Sequence, residues 1–309
     1  MKGKHIGWIV LLAIGLIAPF VVYPVLVMKI LCFALFACAF NLLLGYTGLL
    51  SFGHAAFLGS AGYVCGYSVK ELGLSPELGI LAGTAIAAML GFVFGSLAIR
   101  RAGIYFAMIT LALAQLVYFL ALQFPFTGGE DGLQGVPRGR LFGIVDLADT
   151  MNMYFFVLAV FIAGFWLIDR TIDSPFGQVL KAIRENEPRA ISLGYDVDRY
   201  KLLAFVLSAG LSGLAGATKA LVFQLASLTD AHWHMSGEIV LMTLLGGMGT
   251  VFGPIVGASV VVGLQNYGAE LGQWVTVLTG VIFVICVLAF RRGIVGELAV
   301  LIKRSGIRP

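Results

Sequence analysis

Charged side chains are scarce in this sequence. Asp, Glu, Lys and Arg make up 12% of its 309 residues, and 60% of the residues are hydrophobic. That charged share is about half of what soluble domains contain, and the mean hydropathy is +0.98. Because a soluble core has no room for so much apolar surface, the composition excludes a water-soluble domain and indicates a chain that lies in a lipid bilayer.

The sequence also lacks the motifs of common enzymes and cofactor sites. It has no G-x-x-x-x-G-K-[ST] loop, which excludes ATP binding through a P-loop, and its GGMGTVFG segment lacks the spacing of a dinucleotide site. No combination of Ser, His and Asp stands out, and the four cysteines form no C-x-x-C pair. We therefore expect no catalytic residue, no metal and no cofactor.

Ionisable residues within the apolar runs are few, which argues against an ion-coupled transporter with a relay of buried charges. His54, in SFGHAAF, is the main exception. It either bonds the free carbonyl groups of a broken helix or belongs to a pathway or gate. The segment DAHWH, from Asp230 to His234, is interpreted as an interface loop, with a metal site as the alternative.

Long apolar runs dominate what is present. A membrane span needs about twenty apolar residues, and the sequence predicts an all-α integral membrane protein with eight to ten spans in a single domain, 1–309. The third, eighth and ninth candidates are short or interrupted by glycine, so re-entrant or split helices remain open for them. The ten candidates are 6–27, 29–49, 52–69, 78–99, 103–124, 152–169, 202–224, 237–249, 252–267 and 272–290.

The basic residues predict the orientation. With both termini in the cytoplasm, fifteen of the twenty Lys and Arg residues fall on the cytoplasmic side, as the positive-inside rule requires. Five of them lie in a charged island, 171–201. The longest loop on the other side, 124–150, contains four carboxylates and is either a solvated connector or a docking surface.

The island carries helix signals. Ser174 and Pro175 are suited to begin a helix, which we expect to continue to Glu187. Pro188 then begins a second short helix that ends at Gly194 and carries Ala190, Ile191 and Leu193 as apolar residues. A short amphipathic helix of this kind can seat in a groove on a soluble partner.

Two glycine clusters predict helix ends or breaks where backbones approach closely. GYTGLLSFG covers Gly45 to Gly53, and GGMGTVFG covers Gly246 to Gly253. Each lies between two predicted spans, so the clusters are also compatible with an internal repeat of five plus five spans. Two clusters alone leave that repeat open.

Several segments, in this order along the chain, resemble the permeases of branched-chain amino acid ABC importers, of the LivM type. They are NLLLGYTGLLSFGHAAFLGSAGY, RAGIYFAMITLALAQ, FTGGEDGLQGV, FGQVLKAIRENEPRAISLGYDVDRYKLLAFVLSAGLSGLAGA and GGMGTVFGPIVGA. The resemblance implies a multi-pass subunit of the bacterial inner membrane that pairs with a second, related permease. It also implies two cytoplasmic ATP-binding subunits and a periplasmic substrate-binding protein as partners.

The resemblance also assigns residues. The ATPase-coupling segment would comprise Glu185, Asn186, Glu187, Pro188, Arg189, Ala190, Leu193 and Gly194. The pathway or helix-break signature would comprise Gly45, Gly48, Gly53, His54, Gly246, Gly247, Gly249 and Gly253. Urea and short-chain amide permeases share nearly the same motifs, so the substrate alternatives are branched-chain amino acids or these amides. An ion-coupled secondary transporter is the alternative of another class.

Overall fold

The structure is a computed structural model that describes residues 2–268, residues 293–297 and the single positions 277, 280, 281, 284 and 288. The tenth predicted span, 272–290, therefore lies outside the continuously described part of the chain. The same holds for the basic residues Lys303, Arg304 and Arg308.

Helices make up most of the described residues, and each of the first nine predicted spans coincides with one of them. The helices are α1 Lys2–Val21, α2 Pro24–Thr47, α3 His54–Lys70, α4 Pro76–Ala98, α5 Ile104–Gln123, α6 Thr150–Asp173, α7 Pro175–Glu185, α8 Glu187–Ser192, α9 Val197–Phe223, α10 Leu228–Ala231, α11 Trp233–Gly246 and α12 Gly253–Tyr267. The first span ends earlier than predicted because Pro24 begins a new helix after Tyr23, as proline at a first helical turn does.

Helix length limits how many spans the described residues support. Five of their helices, α2, α4, α5, α6 and α9, are long and apolar enough to cross a membrane. By contrast, α3, α11 and α12 have 17, 14 and 15 residues. At about 1.5 Å per residue they are shorter than a hydrocarbon core of about 30 Å. The chain is thus an all-α, multi-pass membrane protein, and the count of ten spans remains a prediction.

The helices α2 and α9 form the centre of the bundle. In each of them 78% of the most apolar window is buried, compared with 39% in α4 and 28% in α5. The two central helices pack against each other, and α9 also packs along α3 and α4. This arrangement explains why α2 is apolar all round, since a helix without a polar face is buried on every side.

Small residues allow the close approach of α3, α4 and α9. A Cβ atom added at Gly83 of α4 would lie 2.6 Å from the carbonyl oxygen of Ala61 in α3 and 3.1 Å from Ala217 of α9. Close backbone packing at small residues is how membrane helices associate. The AGLSGLAGA run of α9 therefore sets the spacing in the middle of the bundle.

Contacts between distant segments define two ends of the bundle. We call the end that carries the island the island end. There, the indole N–H of Trp8, near the start of α1, donates a hydrogen bond to the carboxylate of Asp169, near the end of α6. We call the opposite end the loop end, because it carries the 124–150 loop. This loop forms two 3-10 turns, Pro125–Thr127 and Gly129–Asp131. It also forms three short strands, β1 Leu133–Gln134, β2 Arg140–Leu141 and β3 Val145–Asp146.

The loop end is held together by two short antiparallel pairs. Strand β1 pairs with β4, Leu225–Ala226, which follows α9, and β2 pairs with β3 in a hairpin. The 124–150 loop and the segment after α9 therefore lie on the same side, as the predicted alternation of spans requires.

Candidate functional site

The island consists of two short helices separated by one residue. Ser174 caps α7, its hydroxyl accepting from the Gly177 backbone N–H. The expectation that this helix continues to Glu187 was wrong: α7 ends at Glu185 and Asn186 is extended. The Asn186 side chain accepts from the Arg189 N–H and caps α8, because asparagine satisfies a free donor at a helix start better than it extends a helix.

The apolar residues of α8 and its C-terminal cap divide into two groups. Ala190 is 2% exposed and packs with Ile183 and Val197 in a small core of the island itself. Ile191 and Leu193 are 57% and 68% exposed. The side chain of Ala190 therefore stabilises the island from within, whereas Ile191 and Leu193 form an apolar surface that nothing in the described residues covers.

The island is attached firmly to the bundle. The Lys201 ammonium group of α9 donates to the Glu187 carboxylate at 2.6 Å, and the Lys201 side chain is only 6% exposed. The remaining residues of the predicted coupling segment are exposed; they are Glu185, Asn186, Pro188, Arg189 and Gly194. This ion pair joins α8 to α9.

Both glycine clusters lie where helices end. After α2, Gly48 adopts φ 76° and caps the helix in the left-handed region, and Gly53 precedes α3. After α11, Gly247 and Gly249 have φ values of 124° and 78°, and α12 begins at Gly253. Glycine is the residue that adopts these angles without a steric penalty.

The two breaks contact each other through Asn41. Its side-chain oxygen accepts from the Gly249 N–H at 2.9 Å, and its amide nitrogen donates to the Thr250 carbonyl, also at 2.9 Å. A Cβ atom added at Gly45 would lie 2.8 Å from the Gly249 nitrogen. One amide side chain of α2 therefore holds the α11–α12 loop against the end of α2.

Arg184 of α7 joins the island to both breaks. Its guanidinium group donates to the Gly45 carbonyl, and a Cβ atom added at Gly249 would lie 3.1 Å from the same group. A Cβ atom at Gly48 would lie 3.3 Å from the Arg184 side chain. Sequence reasoning did not single out Arg184, because nothing local distinguishes it from the other basic residues of the island.

His54 lies at the start of α3 in the interior and is 0% exposed. Its Nε2 atom is 2.8 Å from the Ser208 hydroxyl of α9, which donates to the Ala39 carbonyl of α2 at 2.6 Å. The rings of Phe40, Phe57 and Phe205 surround it. The histidine thus ties three helices together next to the break.

The start of α3 also contacts α11. The Ala55 backbone N–H donates to the Ser236 hydroxyl at 2.9 Å, which satisfies one of the free donors at the helix start. The residues around the first break are therefore bonded to α9 and α11 and, through Ser208, to α2.

The DAHWH segment is not arranged as a metal site. Among the described residues, no group of three or more His, Cys, Asp and Glu is placed to hold a metal ion. The His232 ring packs against Tyr118 at 5.1 Å, and His234 lies 3.7 Å from the Glu238 carboxylate. Asp230 binds Lys219 instead.

Comparison with known proteins identifies relatives. The LivM permease proteins of the high-affinity branched-chain amino acid transport systems of Escherichia coli and Salmonella typhimurium are each 26% identical to this chain over 80% of its length. The chain spans 64% of the length of those two relatives. The ribose import permease RbsC of Bacillus subtilis is 29% identical over 58% of both chains.

No solved structure matches the chain. A family model does: it is described as the permease component of branched-chain amino acid transport systems, and it matches residues 25–290. That range runs from the second residue of α2 to beyond α12 and contains both glycine breaks and the whole island, so it covers every element of the candidate site. The chain therefore belongs to the family of branched-chain amino acid transport system permease components.

Proposed function

We propose that this chain is the membrane-spanning permease subunit of an ABC importer and that it moves branched-chain amino acids across the bacterial inner membrane. It carries out translocation and no chemical step. Two cytoplasmic ATP-binding subunits drive it, a second related permease pairs with it, and a periplasmic protein delivers the substrate. The observation that carries the proposal is the contact of Arg184, in the island, with the Gly45 carbonyl and its position beside Gly249.

The island end faces the cytoplasm in this proposal. The excess of basic residues in the island supports it. Reporter fusions in the 124–150 loop and in the island are expected to report opposite sides of the membrane. Fusions that report the same side contradict this orientation.

The coupling follows from the contacts. When an ATP-binding subunit presses on Ile191 and Leu193, α8 moves with α7, because Ala190 and Ile183 share one small core. Arg184 then pulls on the Gly45 carbonyl at the end of α2, and Asn41 passes the displacement to the α11–α12 loop. Glycines at these positions let the backbone change its angles at low cost.

The substrate assignment is supported by the LivM relatives. Because one of the relatives is a ribose permease, a sugar is the second candidate substrate class. The sequence motifs give urea as the third candidate. Uptake of labelled leucine, ribose and urea into cells that express or lack this gene separates the three. Loss of leucine uptake on deletion is expected. Unchanged leucine uptake with lost urea or ribose uptake contradicts the assignment.

Arg184→Gln is expected to reduce import at least about tenfold while the ATP-binding subunits still bind and hydrolyse ATP. The variant removes the charge-assisted bond to the Gly45 carbonyl, which typically contributes about 1.5–3 kcal/mol, but leaves α8 intact. The measurement compares uptake with ATPase activity of the purified complex. Arg199→Gln is the matched control, because Arg199 is an island arginine whose side chain is 83% exposed and which pairs locally with Asp196.

Equal losses of import in the Arg184 and Arg199 variants would indicate that the net charge of the island matters and that the Arg184 contact does not. Full import in Arg184→Gln would remove the proposed link between the island and the glycine breaks.

A further inference from the structure

A groove lies at the island end, where the end of α6, the start of α7 and the start of α9 meet. Its volume is about 470 Å³. Helix α6 contributes Arg170 and Thr171 to its lining, α7 contributes Phe176, and α9 contributes three apolar residues. None of the residues assigned to the coupling segment or to the glycine breaks lines the groove, so the contacts described above do not account for it.

The wall of the groove on α9 is apolar. It consists of Leu203, Val206 and Leu207, which are spaced three and four residues apart and therefore lie on one face of the helix. The last charged residue before this wall is Lys201, so the wall begins where the apolar part of α9 begins. Leu203 is 59% exposed. A leucine that is this exposed on a membrane-spanning helix faces lipid, so the wall offers a surface for an acyl chain.

The polar side chains of the groove differ in what they already bind. The Thr171 hydroxyl donates to the Leu167 carbonyl at 2.7 Å, and the Ser174 hydroxyl donates to the Thr171 carbonyl at 2.6 Å. Arg170 is exposed, and its guanidinium group takes part in none of the ion pairs within the described part of the chain. Arg170 is therefore the group at which this groove can bind an anion.

The carboxylates next to Arg170 in the sequence do not pair with it. Asp169 accepts a hydrogen bond from the Trp8 indole, and both Asp169 and Asp173 take part in further interactions. Neither of them forms an ion pair with the Arg170 guanidinium group in the described part of the chain. The positive charge of Arg170 is thus not matched by a carboxylate of α6.

The position of Arg170 along α6 places it at the membrane surface. Helix α6 has 24 residues, Thr150–Asp173, and about twenty are enough to cross the hydrocarbon core. Arg170 is in the last turn of the helix, at the level of the lipid headgroups. Trp166 lies one turn earlier on the same face and is 58% exposed, as is typical of tryptophan at the membrane–water interface.

We propose that this groove binds one anionic phospholipid, with its phosphate group at Arg170 and one acyl chain along the α9 wall. A guanidinium group presents paired N–H donors that match the oxygens of a phosphate group, and its charge is complementary to that of the headgroup. Basic pockets between membrane helices bind such headgroups on the cytoplasmic side, which is the side of the island end in the orientation proposed above. The lipid is a ligand and not a substrate, so this site goes beyond the proposed function.

A lipid in this groove contacts three helices at once. It holds the start of α7 against α6 and α9, at Phe176, whose ring also stacks on Tyr200 of α9 at 5.6 Å. Helix α7 carries Arg184, which donates to the Gly45 carbonyl. The bound lipid therefore stabilises the position of the helix that joins the island to the glycine breaks.

Quenching of Trp166 fluorescence by brominated lipids tests the site, because bromine atoms quench tryptophan at short range. The assembled transporter complex is placed in phosphatidylcholine nanodiscs in which an increasing share of one lipid, phosphatidylglycerol or phosphatidylcholine, is brominated on its acyl chains. The chain has four tryptophans, so each complex is compared with its Trp166→Phe counterpart. The expected result is half-maximal quenching at an about fivefold lower share of phosphatidylglycerol than of phosphatidylcholine, the preference that one arginine near the surface provides.

Arg170→Gln is expected to bring this fivefold preference close to one, and it leaves the fold intact because the side chain is exposed. Arg101→Gln is the matched control. Arg101 is also exposed and follows α4, whose start is bonded to the 124–150 loop through Glu77, so it lies at the same end as Arg170. It does not line the groove, and its variant is expected to keep the preference.

Four outcomes would overturn the lipid site. The first two are equal quenching by both lipids in the wild-type complex and an unchanged preference in Arg170→Gln. The third is an equal loss in Arg101→Gln, because the effect would then follow from general surface charge. The fourth is the absence of Trp166 quenching by either lipid in the complex, which would show that a protein subunit covers the groove.

A soluble headgroup distinguishes a lipid from a free anion. Glycerophosphoglycerol has the headgroup of phosphatidylglycerol without its acyl chains, and it is expected to leave the quenching unchanged, because the apolar wall on α9 does not bind it. Full reversal of the quenching by this compound would identify a phosphate site and overturn the lipid groove. Leucine uptake does not enter any of these measurements, so their outcome is independent of the proposed substrate.

Discussion

Leu193→Asp is expected to abolish import while the chain still inserts into the membrane. Leu193 is 68% exposed at the end of α8, where we propose that an ATP-binding subunit docks. A carboxylate enclosed in an apolar interface without a partner costs several kcal/mol of binding free energy. Each loss of about 1.4 kcal/mol weakens the binding of the ATP-binding subunit about tenfold. Co-purification of the ATP-binding subunits and leucine uptake are therefore both expected to fall to less than about a tenth.

Two further variants make this test specific. Leu72→Asp places the same charge on a residue that is 61% exposed between α3 and α4 at the loop end, and it should leave co-purification unchanged. Ala190→Asp buries a charge in the core of the island itself, so it should lower the amount of folded protein before docking is reached. An intact complex with normal uptake in Leu193→Asp would contradict the docking surface.

Gly249→Leu is expected to give the second large loss of import. Gly249 has φ 78°, and an added Cβ atom would lie 3.1 Å from the Arg184 guanidinium group and 3.3 Å from the Gly45 carbonyl oxygen. The left-handed conformation alone costs a residue with a side chain roughly 1–2 kcal/mol. The crowding adds to that cost and disturbs the bond from the Gly249 N–H to Asn41. Uptake and thermal stability of the complex are the measurements.

Gly73→Leu is the matched control for this variant. Gly73 has φ 62°, similar to Gly249, but an added Cβ atom would meet no atom within 4 Å. The control therefore carries the backbone strain without the crowding, and we expect it to keep most of its import activity. If Gly73→Leu loses as much import as Gly249→Leu, the strain alone explains the loss and the close approach of the two breaks has no special role.

Much of the site could be predicted because its signals are local. Ser174 and Pro175 begin α7, and the glycines after α2 and α11 end those helices, as their sequence positions indicated. The short third, eighth and ninth runs correspond to α3, α11 and α12. The end of α7 was misplaced because Asn186 can either continue a helix or cap the next one, and only the packing of α8 decides between these.

The sequence by itself determined that this chain is an α-helical membrane protein and which runs of residues correspond to its first nine apolar helices. Run length, proline and glycine act over a few residues, so these features are readable without a structure. The tertiary structure decided that Ala190 faces inward and Leu193 outward. It also decided that Arg184 meets Gly45 across 139 residues and that Asn41 meets Gly249 across 208. These contacts depend on how α2, α7 and α11 pack, and helix packing follows from the fit of whole surfaces, which no local pattern encodes.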